Sequence, residues 1–228
     1  MKLYAFDSCP YCTRVRALIG LKDIDCKIEY FALGELPTDI VDKLENFTVP
    51  ILEYPVEDIN EKAVMTESFN IFKKLDQLTE AYFKEYEVSG EIEQHLLALR
   101  QPQALLCYPR MPFLNLPELA TESAMVAFTT SREAYLGKTL QQALIDTEDH
   151  LSEIKAPLLA LDAELETEAL LNGERKLTIN DIVVFAELRN LTMVEDLQLP
   201  AGLLAYLNYI SGVTTVTLYP SISKNCQV

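Results

Sequence analysis

The feature that most constrains this chain is a cysteine pair, Cys9-Pro10-Tyr11-Cys12, set between a short apolar run and an amphipathic one. Lys2-Leu3-Tyr4-Ala5-Phe6 reads as a strand, and residues 13–19 read as a helix with Gly20 as its stop. Cys9 therefore falls where a strand gives way to a helix N-terminus. Unpaired backbone N–H groups and the positive end of the helix dipole gather there, and both favour a thiolate. Cys12 follows about one turn later, near enough for its sulfur to close a disulfide with Cys9. Pro10 suits the first turn, where its missing N–H would have had no intrahelical acceptor.

A zinc half-site of this spacing needs two further ligands. Cys26, Cys107 and Cys226 are single, however, and His95 and His150 lie far off in sequence, so no metal is expected. Two merely structural cysteines have no reason to sit together at a helix start after a strand. A redox dithiol is the favoured reading. The rest of the composition agrees. Five cysteines in 228 residues are too few, and odd in number, for a secreted disulfide framework. With 49% apolar residues the chain can build a sizeable core without such staples. No tract reads as a membrane span or a cleavable leader, which predicts a soluble cytoplasmic protein.

A net charge of −16 disfavours nucleic acid and anionic membrane as partners. The first 22 residues run against that balance, with Lys2, Arg14, Arg16 and Lys22 against Asp7 alone. Such an electropositive segment would favour the Cys9 thiolate and an anionic substrate, unless the arginines are simply solvated.

Beyond the first helix, Cys26-Lys27-Ile28-Glu29-Tyr30-Phe31 alternates as a second strand, parallel to the first through a right-handed crossover, with Cys26 packed inward. Ile40, Val41, Leu44 and Phe47 recur at helical spacing behind Thr38, a candidate N-cap. Thr48-Val49-Pro50-Ile51-Leu52 opens a third strand, where Pro50 could be a plain strand-start residue. Residues 55–62 form a polar turn into Ala63-Val64-Met65, a hairpin partner for 51–54. Thr66-Glu67-Ser68 then starts a helix whose apolar face is Ile71, Phe72, Leu75 and Leu78. That start reads equally as a cap or as an anion site with a hydroxyl and a carboxylate beside it.

The remainder reads as helix. Ile92, Leu96, Leu99 and Leu106 mark one, bent or ended near Pro102, and Thr121 caps another. A leucine stripe from Leu140 to Leu165 is interrupted at Pro157. Thr178 and Asp181 form a capping box with Leu177 and Ile182 as its hydrophobic staple, opening a helix apolar on more than one face and so predicted central. Pro200 starts a last helix through Leu203, Leu204, Leu207 and Ile210. Cys107 is predicted packed, Cys226 free at the surface, and neither histidine catalytic.

The tetrapeptide Cys9-Pro10-Tyr11-Cys12 resembles the active site of glutaredoxins rather than the Cys-Gly-Pro-Cys of thioredoxins. Together with Gly20-Leu21-Lys22, Val49-Pro50-Ile51, Glu67-Ser68 and Leu188-Arg189-Asn190-Leu191-Thr192, it makes the whole chain similar to the two-domain bacterial glutaredoxins of the glutaredoxin 2 family. Asp7, Thr66 before Glu-Ser, and the long 55–62 turn depart from that pattern. The resemblance implies an α/β thioredoxin-like domain over residues 1–78, a linker over 79–90, and an all-α domain like that of glutathione transferases over 91–228.

It further implies thiol–disulfide exchange on glutathionylated or disulfide-containing proteins, by a monomer, with glutathione as co-substrate. Cys9 and Cys12 would be catalytic. Tyr11, Val49, a cis Pro50, Glu67 and Ser68 would hold glutathione around Cys9. The alternatives are a glutathione transferase or dehydroascorbate reductase on the same scaffold, a non-catalytic regulatory protein, or an iron–sulfur carrier using Cys9 and glutathione.

Overall fold

In the computed structural model, which describes residues 1–44, 47–56 and 61–226 (residue 39 by its backbone alone), the first part of the chain builds a four-stranded mixed sheet. Strand β1 (Lys2–Ala5) is followed by α1 (Pro10–Leu21), β2 (Lys27–Tyr30), the short α2 (Thr38–Val41), β3 (Ile51–Pro55), β4 (Lys62–Met65) and α3 (Ser68–Asp76). The strand order is β2-β1-β3-β4. β1 and β2 run parallel, as a strand–helix–strand crossover requires, while β3 is antiparallel to both β1 and β4. The turn between β3 and β4 includes residues 57–60, which lie outside the described residues.

Both faces of the sheet are covered. α1 and α3 bury Val15, Leu18, Ile71, Phe72 and Leu75 with Leu3 and Leu52 on one face. The other face carries Tyr4 and Ile51, packed with Phe31, Leu36 and Ile40. Two sequence expectations need correction here. Thr38 is the first helical residue of α2 rather than its cap, Pro37 holding that position, and the helix is only 4 residues long, with Val41 and Phe47 exposed. Leu78 lies beyond the end of α3 and is exposed, because the chain turns away at Gln77.

The second part is helical: α4 (Gly90–Cys107), α5 (Glu122–Leu136), α6 (Leu140–Ile145), α7 (Thr147–Glu164), α8 (Thr167–Leu171), α9 (Ile179–Leu188) and α10 (Ala201–Thr214). α4 and α7 pack side by side, and each continues through its proline. An interior proline costs a helix about 3 kcal/mol. Burial on both sides of each one outweighs that, through Leu99, Leu105 and Leu106 around Pro102 and through Ile154, Leu158 and Leu161 around Pro157. Tertiary packing thus keeps each helix from ending at its proline.

α9 is the central helix. It is buried nearly all round and opens with a reciprocal capping box. Asp181 Oδ2 accepts from Thr178 N–H at 2.7 Å and from Thr178 Oγ1 at 2.8 Å. Asp181 is buried and also binds Arg175 and, at 3.0 Å, the Tyr206 hydroxyl of α10, so the box is tied into the core as well as to its own helix. Leu177 and Ile182, the staple pair, are both buried.

The two parts share one apolar core, in which Leu18 of α1 belongs to the same cluster as Ile182 of α9 and Leu207 of α10. Gly20 is the reason α1 and α10 come so close. It does not stop α1, which continues to Leu21; its missing side chain instead makes room for the Thr214 backbone at the end of α10. Two residues on, Lys22 reaches the connection between the parts. It pairs with buried Asp76 at 2.8 Å and donates to the Glu80 carbonyl at 3.0 Å. Asp76 accepts in turn from the Tyr82 and Phe83 N–H groups and from the Tyr86 hydroxyl. Burial alone would raise the Asp76 pKa, but these donors outweigh it and hold the carboxyl below the usual range.

Candidate active site

Cys9 occupies the N-cap of α1 with an extended backbone (φ −75°, ψ 119°), and no side chain caps the helix. Its carbonyl accepts from Thr13 N–H at 2.9 Å and from Thr13 Oγ1 at 3.1 Å. The thiol thus faces the open first turn. Hydrogen bonding from the Cys12 thiol, reinforced by the Cys12 and Tyr11 backbone N–H groups, lowers the Cys9 pKa; burial and the Glu187 carboxylate oppose this. Cys12 is wholly buried, and that burial, together with the neighbouring Cys9, pushes its thiol well above the ordinary value. The opposite shifts leave Cys9 the more ionised and the more accessible of the two.

The electropositive surroundings expected from the sequence do not survive folding. Each of the four cations near the N-terminus is ion-paired: Lys2 with Glu29, Arg14 with Glu187, Arg16 with Asp7 and Lys22 with Asp76. Nor are the two arginines solvated, since both are buried. Arg14 lies across the Tyr11 ring at 4.6 Å and the Phe69 ring at 5.2 Å, joining the first turns of α1 and α3. The Cys9 thiolate therefore depends on local hydrogen bonds, not on a surplus of charge.

The segment before Cys9 is held from the helical part. Glu118, in a short 3₁₀ turn (Pro117–Leu119), accepts from Asp7 N–H at 3.0 Å, Ser8 N–H at 2.8 Å and the Ser8 hydroxyl at 2.7 Å. Arg189, immediately after α9, donates to the Asp7 carbonyl at 2.7 Å, and Asn190 donates to the Ser8 carbonyl at 2.9 Å. The Asp7 carboxylate receives Arg16 at 2.7 Å, the Tyr219 hydroxyl at 2.6 Å and Arg189 at 3.2 Å. Burial pushes the Asp7 carboxyl up, but Arg189, Arg16 and Tyr219 together bring it below the ordinary range. The charge that set this sequence apart from its resemblance is thus neutralised in place.

The other candidate residues gather at the same end of the sheet. Ile51 pairs with Tyr4, and Leu52 with Met65. The end of β1, the start of β3 and the end of β4 therefore lie side by side, which brings Cys9, Val49-Pro50 and Glu67-Ser68 to one rim. The Val49–Pro50 peptide bond is cis; Val49 is half-buried and Pro50 buried.

Glu67 is the N-cap of α3 with φ 68° and ψ 108°, a left-handed conformation worth about 1–3 kcal/mol in a non-glycine residue, and its side chain caps nothing. The first N–H groups of α3 are left open, so the plain capping reading of this start fails. The Glu67 carboxylate is exposed and Ser68 is buried; neither side chain has a hydrogen-bond or ion-pair partner among the described residues. Tyr11 is exposed beside them.

Sequence reading missed Glu118, Arg189, Asn190 and Tyr219 as site residues. Arg189-Asn190 did carry a signal, two polar side chains directly after an almost uniformly apolar helix. Glu118 and Tyr219 carried none, because they reach the site only through folding across more than 100 residues. Among the described residues no group of three His, Cys, Asp or Glu side chains could hold a metal ion, and no helix is long and apolar enough to cross a membrane.

Comparison with known proteins agrees with this architecture. Residues 91–223 match the family described as Glutaredoxin 2, C terminal domain, and residues 3–82 match Glutathione S-transferase, N-terminal domain. The chain is 29% identical over 225 residues to Glutaredoxin 2 of Escherichia coli K12, covering 98% of this chain and 100% of that protein. Its structure is similar to the crystal structure of Glutaredoxin 2 from Salmonella typhimurium in complex with glutathione, with a TM-score of 0.82 and 25% identity over 95% of each chain. A glutathione transferase Omega 3C from Trametes versicolor shares the fold at a TM-score of 0.56 and 15% identity, over 96% of this chain and 90% of that one.

Proposed function

Because the chain belongs to the glutaredoxin 2 family, we propose that it is a glutathione-dependent thiol–disulfide oxidoreductase working through Cys9 and Cys12. The observation that carries this reading is the placement of the thiol pair, Cys9 half-buried at a helix N-cap that no side chain caps and Cys12 wholly buried one turn behind it, an arrangement that lowers the Cys9 pKa and raises that of Cys12. A related protein crystallised with glutathione supports the choice of co-substrate.

In the proposed reaction the Cys9 thiolate attacks the glutathione sulfur of a protein–glutathione mixed disulfide. The protein thiolate leaves, and Cys9 carries glutathione as a new disulfide. A second glutathione thiolate attacks that bound glutathione, releasing oxidised glutathione and restoring Cys9. With a protein disulfide, Cys9 instead forms a mixed disulfide with the protein. Cys12 gives up its proton and attacks Cys9, the reduced protein leaves, and two glutathione molecules return the Cys9–Cys12 disulfide to the dithiol.

Glutathione would lie along the rim of the sheet. The Val49 backbone would pair with its cysteinyl part by strand-like hydrogen bonds. The open N–H groups of α3 and the Ser68 hydroxyl suit the γ-glutamyl carboxylate, the unpaired Glu67 suits its ammonium, and Tyr11 would pack alongside. A transferase on the same scaffold would leave Cys12 without a role. Turnover at the expense of reduced glutathione suits a reducing compartment such as the cytoplasm.

The test separates the two thiols. Cys9→Ser should abolish reduction of every disulfide, whereas Cys12→Ser should keep removal of glutathione from a mixed disulfide and lose most reduction of protein disulfides. Equal inactivity of both variants toward a glutathionylated peptide would overturn the assignment.

A further inference from the structure

We infer that Glu118 and Asn190 of the helical part are positioning residues for Cys9, holding the orientation of the backbone that presents its sulfur. The inference rests on the functional reading above for the identity of the nucleophile. The geometry stands apart from it.

All four backbone polar groups of Asp7 and Ser8 are bound by side chains, and most of those bonds come from distant helical residues. Glu118 takes both N–H groups, at 3.0 and 2.8 Å. Arg189 and, from α1, Arg16 take the Asp7 carbonyl at 2.7 and 3.2 Å, and Asn190 takes the Ser8 carbonyl at 2.9 Å. The Ser8 carbonyl belongs to the peptide plane that carries the Cys9 nitrogen. Asn190 therefore sets the plane on the N-terminal side of Cys9, while Thr13 sets the plane on its other side through the Cys9 carbonyl. With both flanking planes fixed, the direction of the Cys9 Cα–Cβ bond is fixed as well. That direction decides whether the sulfur meets the Tyr11 and Cys12 N–H groups.

Adhesion between the two parts does not require this polar set. The shared apolar core of Leu18, Ile182 and Leu207, with the close approach at Gly20, already joins them. The clamp also brings no net charge, since Glu118 and Asp7 are balanced by Arg189 and Arg16. Glu118 and Asn190 are nearly buried, so their geometry is not open to exchange with water. Groups that are buried, charge-balanced and directed at consecutive peptides next to the reactive sulfur supply orientation rather than field.

This gives opposite signs to the two explanations of a Glu118→Gln variant. If Glu118 acted only as a nearby negative charge, its removal would favour the thiolate and speed alkylation of Cys9. As a positioning residue it should do the reverse, because the glutamine amide cannot accept both N–H groups. The experiment measures the pH profile of iodoacetamide reaction at Cys9 by peptide mass spectrometry in the full chain, with kcat and glutathione KM in the mixed-disulfide assay.

Glu118→Gln and the uncharged change Asn190→Ala should each slow Cys9 alkylation near pH 7 about tenfold, within the loss of up to about a hundredfold that a misplacement of ~1 Å brings. Both should lower kcat while leaving the glutathione KM nearly unchanged. Faster alkylation in Glu118→Gln, or wild-type rates in both variants, would overturn the inference. Should either variant fail to fold, Ser8→Ala, which loses only the hydroxyl bond to Glu118, should move the profile in the same direction by less, and a wild-type profile there would overturn it. A wild-type chain inactive with glutathione would refute the functional reading alone, since the alkylation profiles would still decide the positioning.

Discussion

Replacing Gly20 by alanine sets two well-defined effects against each other. Gly20 lies inside α1, and in a helix interior alanine is favoured over glycine by about 1 kcal/mol. Local propensity alone therefore predicts a stabilised protein. The tertiary structure predicts the opposite. A Cβ at Gly20 would lie 2.7 Å from the Thr214 carbonyl carbon and 2.8 Å from Thr215 Oγ1, and would overlap the Thr214 carbonyl oxygen outright. Carbon atoms at rest lie about 3.5–4.0 Å apart, so α1 and the end of α10 would have to separate by roughly 1 Å.

The obstacle is backbone, which no rotamer change can remove, so the overpacking cost should reach the upper part of the usual range, about 3 kcal/mol. Offsetting the helical gain leaves a net loss of about 2 kcal/mol. For a chain of this size that corresponds to a fall in melting temperature of about 4–8 °C. Urea denaturation at neutral pH, followed by circular dichroism, measures the loss directly, and a thermal scan supplies the second figure. A variant as stable as the parent, or more so, would refute the close-approach argument and return Gly20 to a role in the helix alone.

Three further outcomes are expected. Thr178→Ala should cost about 0.5–2 kcal/mol as a lost cap, whereas Asp181→Ala should cost about 3 kcal/mol because it also strands Arg175 and Tyr206; equal urea midpoints in the two variants would contradict that ordering. In limited alkylation near pH 7, Cys9 should react first and Cys107, pushed up to about 12 by burial, should be among the last; prior reaction of Cys26 or Cys226, both also raised, would contradict the assigned acidity. Asp76 has a lowered folded pKa, so its contribution is fully present above its unfolded value near 4 and is lost as pH falls through the folded value. Asp76→Asn should therefore be less stable than wild type at pH 7, with the gap narrowing below about pH 4; a gap that widened on acidification would have the wrong sign.

The sequence by itself determined most of the strands and helices and the position of the proposed redox pair at the head of α1. Strand alternation, the C-x-x-C at a strand-to-helix boundary and the Thr178–Asp181 box are all encoded within a few residues of one another, and local backbone physics suffices to read them. The sequence could not foresee that α4 and α7 continue through Pro102 and Pro157, or what Gly20 is for, and the reason is the same. Each is weighed there against its own helix, while burial of the flanking leucines or the nearness of another backbone decided the outcome.

The electrostatics of the site also lay beyond it. Four cations close to Cys9 in the chain looked like a positive field, but folding supplied Glu29, Glu187, Asp7 and Asp76 as partners and removed it. Likewise nothing local could join Glu118 or Asn190 to Ser8, since hydrogen bonds over 110 and 182 residues exist only once the shared core has formed. The chain's local chemistry placed the proposed nucleophile, Cys9, at a helix N-cap. Only the packing of the helical part onto α1 fixed the backbone that carries it, because side-chain hydrogen bonds depend on separation in space, and the core sets that separation.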